Sequence, residues 1–310
     1  MIQYDGKKWF YPVFKNRKLF KESFSLKSQA VIISLIFIYS VIVTWSLHYI
    51  DASEFKIDPL YFSLIGVLLT MLLVFRLNTS YDRWYEGRKQ WGALVNTTRH
   101  LAVLLESKIP ESEKSDRIET VKLIGAYPFL LKSHLRGEKS EYWPESVKQY
   151  IDIDHKPSNA ALFGNKILQH HVEKLVNKYQ LTDGTKRTID EDLRRFLDIT
   201  GACERILKTP IPFSHVFFIK NFIMLYSIAI PFGLFHFFDW YTIIATCFIA
   251  WGLIGIETVS ESIEEPFGMD ANDLALTHMS GSMYAAVQEV FDIYMDEEMP
   301  KRERLDWIIH

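Results

Sequence analysis

The sequence has few cysteines and none of the short motifs that carry common enzyme chemistry. Its two cysteines, Cys203 and Cys247, exclude a disulfide framework beyond one bridge. It contains no HExxH pattern, no paired CxxC, no phosphate-binding loop and no dinucleotide or serine-nucleophile motif. The adjacent His170 and His171 would point about 100° apart on a helix, so we expect no zinc site. The net charge of −3 comes without a basic module, so we expect no nucleic-acid partner.

Charged residues are also absent from four long stretches. A helix needs about 20 apolar residues, with a lower limit of about 17, to cross a hydrocarbon core of about 30 Å. A soluble core could bury one such helix, but four in a chain of this size are hard to bury. We therefore predict an integral membrane protein with four spans. The charge-free stretches are Ser28 to Ile50, Pro59 to Phe75, Phe222 to Phe238 and Trp240 to Ile256.

Basic residues flank the first two stretches and predict the orientation of the chain. Lys and Arg cluster before the first stretch and after the second, and such residues stay on the cytoplasmic side. The connection from Asp51 to Asp58 has three acids and one lysine, so we place it outside, with a second external turn near Asp239. Both termini are then cytoplasmic in a multi-pass protein of the cell membrane. The first apolar run is too long and begins too late for a cleaved signal peptide.

Helical patterns fill the remainder of the chain, and no strong strand alternation is present. The region from Leu77 to Ser214 is too long for a loop, so we predict a cytoplasmic helical domain. Asn78 and Thr79 are predicted N-caps of a helix that ends before Pro110. Further helices are predicted over Ser115 to Leu135, Ala160 to Tyr179, Thr188 to Leu207 (after a turn at Thr182 to Gly184) and Met283 to Met295. The predicted organisation is an N-terminal cytoplasmic segment (1–29), spans 1 and 2 (30–76), the helical domain (77–214), spans 3 and 4 (215–256) and C-terminal cytoplasmic helices (257–310).

Three blocks of sequence carry a resemblance to one family. They are Phe75 to Gly92 after the second span, Thr209 to Phe213 before the third, and Ile263 to Leu274 after the fourth. In this order, and with the four-span layout, they resemble the bestrophins, and the prokaryotic members more than the longer animal ones. The resemblance implies an all-α homopentamer around a central pore, with four transmembrane helices per subunit and a large cytoplasmic helical domain.

The same resemblance assigns a narrow hydrophobic neck to Val67, Met71 and Phe75. Their spacing of four places them on one face of a helix. Rings of apolar side chains can gate a pore by dewetting, because an ion in a dry constriction loses its hydration without replacement ligands. The alternative is that these side chains only pack against helices or lipid. Small residues that would allow close helix approach interleave with them, namely Ser63, Gly66 and Thr70.

A second constriction at the cytoplasmic exit is implied by the block before the third span. Alignment on Pro212 gives Thr209 the aperture position, or Ile206 if the alignment slips. A polar Thr at this point would make the aperture more permissive to hydrated ions. The alternative is a proline-rich turn that only joins a cytoplasmic helix to the third span.

The block after the second span carries aromatic and Arg residues at helical spacing. Tyr81, Trp84, Tyr85 and Arg88 share a face, and Arg83 belongs to the matching motif. Aromatic and Arg side chains are favoured in buried contacts between proteins. We therefore interpret this block as a subunit interface just inside the membrane.

Two groups of carboxylates follow the fourth span. Glu257, Glu261 and Glu265 form a stripe along one helix face, and we expect it to be solvated or paired with basic residues rather than to line the conduit. Asp270 and Asp273 resemble two aspartates of the calcium clasp of animal bestrophins.

The remainder of that acidic clasp is missing from this sequence. Met269, Ala271 and Asn272 stand at positions that are acidic in the animal relatives, so bound calcium is doubtful and no other cofactor is expected. The alternative role for the two aspartates is capping of a helix that begins near Asn272.

These observations predict a passive channel for monovalent ions. We favour cations, from the prokaryotic resemblance and the acidic external loop, with an anion channel of the same fold as the alternative. A membrane-anchored scaffold or sensor without a pore is the alternative of another class. An enzyme would need ionisable groups inside the spans, and in the third span Lys220 and His236 stand only near the ends.

Overall fold

The computed structural model describes residues 26–50, 58–139, 144–148 and 157–295, and these residues are helical without a strand, as predicted. The N-terminal segment, most of the external loop and the C-terminal end beyond Met295 lie outside the described residues. The helices are α1 (Leu26–Tyr49), α2 (Pro59–Glu106), α3 (Lys114–Leu135), α4 (Glu145–Lys148), α5 (Ala160–Lys178), α6 (Asp183–Lys208), α7 (Phe213–Phe238), α8 (Thr242–Glu264) and α9 (Leu276–Phe291), with a 3₁₀ turn at Asp239–Tyr241 between α7 and α8.

Helix α2 is one continuous element that runs out of the predicted membrane region into the cytoplasmic domain. Asp58 caps it by accepting the Leu60 amide at 2.9 Å, and Pro59 occupies its first turn. The prediction of a new helix capped by Asn78 and Thr79 is wrong, because both residues lie inside α2. At about 1.5 Å per residue the helix is roughly 70 Å long, about twice the thickness of a hydrocarbon core.

The membrane half of the protein consists of α1, α7, α8 and the first half of α2. Three stretches are long and apolar enough to span a membrane, and the last of them contains α7, the turn and α8. Only 11%, 17% and 22% of their most apolar windows are buried within one chain, so other molecules must cover most of this surface. The three stretches are Gln29–Tyr49, Leu60–Glu106 and Phe213–Glu264.

The half of the protein that we predict to be cytoplasmic has its own hydrophobic core, formed by the second half of α2 with α3, α5, α6 and α9. Tyr127 shows how its packing is fixed, because the ring stacks on Phe196 at 4.5 Å and its hydroxyl donates to the Phe196 carbonyl at 3.0 Å. Cys203 is a free thiol in this core, and burial raises its pKa to about 12. Cys247 in α8 is also free.

Two cytoplasmic helix boundaries differ from the predictions. Helix α6 begins at Asp183 rather than Thr188, because the predicted turn residue Thr182 caps it by accepting the Thr185 amide at 3.4 Å. The last helix begins at Leu276, seven positions before the expected start, and ends at Phe291, where Asp292 adopts a left-handed conformation with φ of 52°.

Candidate functional site

The predicted neck residues form an open apolar face on the first half of α2. In the single chain Val67, Met71 and Phe75 are 70%, 55% and 53% exposed, whereas Leu69 and Leu73 on the opposite face are fully buried. The buried pair packs against α7, through Ile219 and Ile223, and so fixes the rotation of the helix. The three predicted residues share a shallow groove of about 580 Å³ with Ser63, Gly66 and Thr70.

Gly66 allows α7 to approach the neck helix closely. The Tyr226 hydroxyl on α7 donates to the Phe62 carbonyl at 3.1 Å. A Cβ atom added at Gly66 would lie 2.7 Å from that hydroxyl oxygen, so a larger residue would displace the tyrosine. The small-residue pattern of the sequence therefore serves helix packing beside the neck.

Arg76, directly after the neck, is buried against two carboxylates. Its guanidinium donates to Glu264 Oε2 at 2.7 Å and to Ser80 Oγ at 3.1 Å, and its Nε lies 3.6 Å from Glu257 Oε2. Arg76 is 1% exposed. The sequence identifies Arg76 only as part of a basic flank, since an arginine after an apolar span usually faces water.

Glu264 and Arg83 connect this buried pair to the segment before the third span. Glu264 Oε1 accepts the Ile211 amide at 3.2 Å, and the Glu264 carbonyl accepts from Arg83 Nε at 3.1 Å. Arg83 also donates to the carbonyls of Ile206 at 2.8 Å and Thr209 at 2.5 Å, at the C-terminal end of α6, where a cation complements the free carbonyls. We name Arg76, Arg83 and Glu264 the boundary clamp.

The two candidate aperture residues lie in different surroundings. Thr209 is exposed at the end of α6, and its hydroxyl donates to the Arg205 carbonyl. Ile206 is buried in the cytoplasmic core. Of the two candidates only Thr209 is therefore exposed within one chain, and its backbone carbonyl is held by the clamp.

The residues of the predicted subunit interface divide into two groups. Arg83 belongs to the clamp, and Trp84 donates its indole N–H to the Asn272 carbonyl at 3.0 Å, so both are engaged inside the chain. Tyr81 and Tyr85 are exposed and stack on each other with ring centres 6.1 Å apart, and Arg88 is exposed beyond them. The second group is available to another subunit.

The candidate calcium residues lie in a tight loop between α8 and α9. Asp273 is 4% exposed and accepts the Asp270 amide at 2.7 Å. Burial raises the pKa of Asp273 to about 7, and the nearby Asp270 charge adds to the effect. Asp270 itself is exposed. Among the described residues no group of three or more His, Cys, Asp or Glu side chains is arranged to hold a metal ion.

The expected helix start near Asn272 is wrong, because the loop continues to Ala275 and α9 begins at Leu276. Asp273 therefore closes the loop and does not cap the helix. Gly268 lies so close that a Cβ there would be 2.5 Å from Asp273 Oδ2. Asn272 contributes as well, since its amide group donates to Ser262 Oγ at 3.1 Å.

We expected the glutamate stripe to be solvated or paired with basic residues, and two of its three members have basic partners. Glu257 lies beside Arg76 and is 4% exposed, and Glu261 accepts from Lys220 at 3.1 Å. Glu265, which follows the end of α8, is exposed.

Comparisons with known proteins agree with this architecture. The family model of the bacterial and fungal bestrophin proteins matches residues 19–289. A voltage-dependent anion channel-forming protein of Synechocystis is 35% identical over 74% of this chain and 76% of its own length, and one from Nostoc is 35% identical over 73% and 75%. The crystal structure of a bestrophin homologue from Klebsiella pneumoniae is 24% identical, has a TM-score of 0.76 and matches 85% of this chain and 98% of that one. The chain therefore belongs to the bacterial and fungal bestrophin family.

Proposed function

We propose that this protein is one subunit of a homopentameric bestrophin-type ion channel that conducts monovalent ions passively. The observation that carries the proposal is the neck face, where Val67, Met71 and Phe75 are open in the single chain while the opposite face of the helix is buried. Five such faces around one axis form stacked apolar rings, and a narrow apolar constriction can gate ions by dewetting. The relatives from Synechocystis and Nostoc, named channel-forming proteins, support the same conclusion.

A scaffold without a pore is less consistent with these observations. A scaffold would not need the open apolar face that continues over two helical turns and is flanked by a polar clamp. An enzyme is also disfavoured, because membership of this family indicates a channel. We place the channel in the cell membrane with both termini in the cytoplasm, from the basic flanks of the first two spans.

We propose that the channel favours cations. Arg76 is the positive charge closest in sequence to the neck, and it lies buried between Glu257 and Glu264 and presents no free charge to the conduit. The neck residues themselves are uncharged, and the external connection is acidic. Conduction of anions is the second candidate, favoured by the names of the Synechocystis and Nostoc relatives.

At the cytoplasmic exit we propose that Thr209 lines the aperture and that Tyr81, Tyr85 and Arg88 contact the neighbouring subunit. The polar Thr209 supplies a hydroxyl where an apolar residue would impose a dry barrier. We further propose that conduction does not require calcium, since the Asp273 carboxylate already closes its own loop through the Asp270 amide.

Current through planar bilayers that contain the purified protein, with unequal KCl on the two sides, tests the proposal. A reversal potential near the K⁺ equilibrium potential supports cation conduction, and one near the Cl⁻ potential supports the second candidate. Absence of current over a wide voltage range would reject the channel. The mass of the complex in detergent checks the pentamer, since a monomer or dimer cannot enclose the pore.

A further inference from the structure

A second cavity lies away from the neck, between α1, α7 and α8. It has a volume of about 570 Å³, within the range of about 300–1,000 Å³ that is typical of small-molecule sites. One end is polar, and its other walls are apolar. The apolar walls come from all three helices and include Ile32, Ile36, Ile223, Met224 and Ile254.

The polar end contains two buried side chains with unused hydrogen-bonding capacity. Gln29 is 4% exposed, and its amide nitrogen has no hydrogen-bond partner among the described residues. Glu257 is also 4% exposed; Arg76 Nε lies 3.6 Å from its Oε2, but neither carboxylate oxygen accepts a hydrogen bond from a described residue. Burying polar groups whose hydrogen bonds are not made costs free energy. The arrangement indicates a ligand that both donates to Glu257 and accepts from Gln29.

Charged side chains at the mouth of this cavity add to the pattern. Lys220 and Glu261 form an exposed pair at 3.1 Å, and both line the cavity with Glu257. Two carboxylates and one ammonium therefore line the polar end, and the Arg76 guanidinium lies outside the cavity beside Glu257. Their chemistry matches a head group that carries a positive and a negative charge.

The dimensions of the apolar part match one leaflet of a bilayer. The wall on α1 extends from Gln29 to Tyr39, about 15 Å at 1.5 Å per residue. This length is half of a hydrocarbon core of about 30 Å. Its polar end lies at the start of α1 and α7 and the end of α8, which the proposed orientation places on the cytoplasmic side.

We propose that this cavity binds a phospholipid of the cytoplasmic leaflet that carries a primary ammonium head group. The ammonium donates hydrogen bonds to Glu257, the phosphate accepts from Lys220 and Gln29, and one acyl chain follows the apolar wall along α1. A quaternary ammonium lipid has the same net charge but no N–H donor, so it cannot satisfy Glu257. The inference rests on the membrane orientation and does not depend on ion conduction.

Native mass spectrometry of the delipidated complex in detergent, mixed with phosphatidylethanolamine, phosphatidylcholine or phosphatidylglycerol, tests the proposal. We expect phosphatidylethanolamine to saturate at one lipid per subunit, with phosphatidylcholine bound about tenfold more weakly because it lacks the charge-assisted donors. Equal binding of these two lipids, stronger binding of the anionic phosphatidylglycerol, or no bound lipid would each overturn it.

A matched pair of variants locates the bound lipid. Met224→Trp fills the cavity and is expected to reduce phosphatidylethanolamine binding about tenfold, whereas Leu225→Trp, on the same helix but outside the cavity, should leave it unchanged. Equal binding by both variants would place the lipid elsewhere and overturn the assignment. The comparison of lipids uses the unaltered protein, so it stands even if Met224→Trp does not assemble.

Discussion

The two halves of α2 use the same class of side chain in opposite ways. In the first half Val67, Met71 and Phe75 are apolar and more than half exposed, whereas Trp91 and Leu94 in the second half are fully buried. The hydrophobicity of the side chains alone therefore does not explain why one set is exposed and the other is buried. The difference lies in what surrounds the helix. The second half of α2 packs into a core within one chain, whereas most of the apolar surface around the first half is not covered within one chain.

The boundary clamp joins the two halves. Arg76 and Arg83 lie two turns apart on α2, and Glu264 at the end of α8 contacts both. Through these contacts Glu264 holds together α2 and the segment before α7. Substitutions in the clamp, the cytoplasmic core, the loop and the neck should therefore have different effects.

The largest effect is expected at the clamp. Arg76→Met leaves the buried carboxylates of Glu257 and Glu264 without their positive partner, and breaking a buried pair in this way costs about 3–5 kcal/mol. Thermal unfolding of the complex in detergent measures the loss. The control Lys208→Met removes an exposed pair with Glu204, which is worth about 0.3–0.5 kcal/mol. Equal losses of stability in the two variants would show that the clamp contributes no more than an exposed ion pair.

Overpacking the cytoplasmic core should have the next largest effect. At Gly125 on α3 an added Cβ would lie 2.0 Å from the ring of Tyr284 on α9, so Gly125→Ala should cost about 1–3 kcal/mol. Gly201 in α6 has open space at the same position, and Gly201→Ala should be neutral or stabilise by up to about 1 kcal/mol. Chemical denaturation that follows the tryptophan fluorescence would distinguish them, and similar stabilities would contradict the packing.

Asp273 should give an effect that depends on pH. Its pKa in the folded protein, about 7, lies above the value of about 3.9 for an unfolded aspartate, so its stabilising contribution is complete below about pH 4 and is lost as the pH rises through 7. Asp273→Asn keeps an acceptor for the Asp270 amide and should be more stable than the parent at pH 8 but not at pH 4. Melting temperatures at the two pH values provide the check. If calcium raised the melting temperature of the parent alone at pH 8, Asp273 would bind calcium, and the argument that its carboxylate is already used by the loop would be wrong.

The membrane half of the fold could be predicted because its signals are local. Charge-free length depends only on the order of residues, and it located the long apolar helices. The face that contains Met71, which is open in the single chain, came instead from the resemblance of the sequence to a family. The break at Asn78 and Thr79 was wrong because good capping residues also occur within helices. Thr79 shows this, since its hydroxyl donates to the Phe75 carbonyl one turn earlier.

The clamp could not be predicted because it depends on tertiary contacts. Arg76 and Glu264 are separated by 188 residues, and nothing in either neighbourhood indicates that the arginine is buried. A weak signal existed in the glutamates that follow the fourth span, which we expected to be either solvated or paired with basic residues. The sequence does not reveal which arginine they meet.

The conductance of neck variants in planar bilayers tests the central claim most directly. Met71→Ala truncates the middle of the proposed neck, whereas Ile65→Ala truncates another exposed side chain, 40% against 55%, that lies about 120° around the helix from Met71. Both changes should alter stability little, by about 0.5 kcal/mol as for other open positions. We predict that Met71→Ala raises the current severalfold and that Ile65→Ala leaves it unchanged. Unchanged current in Met71→Ala, or an equal rise in both, would contradict a conduction pathway along this face of α2.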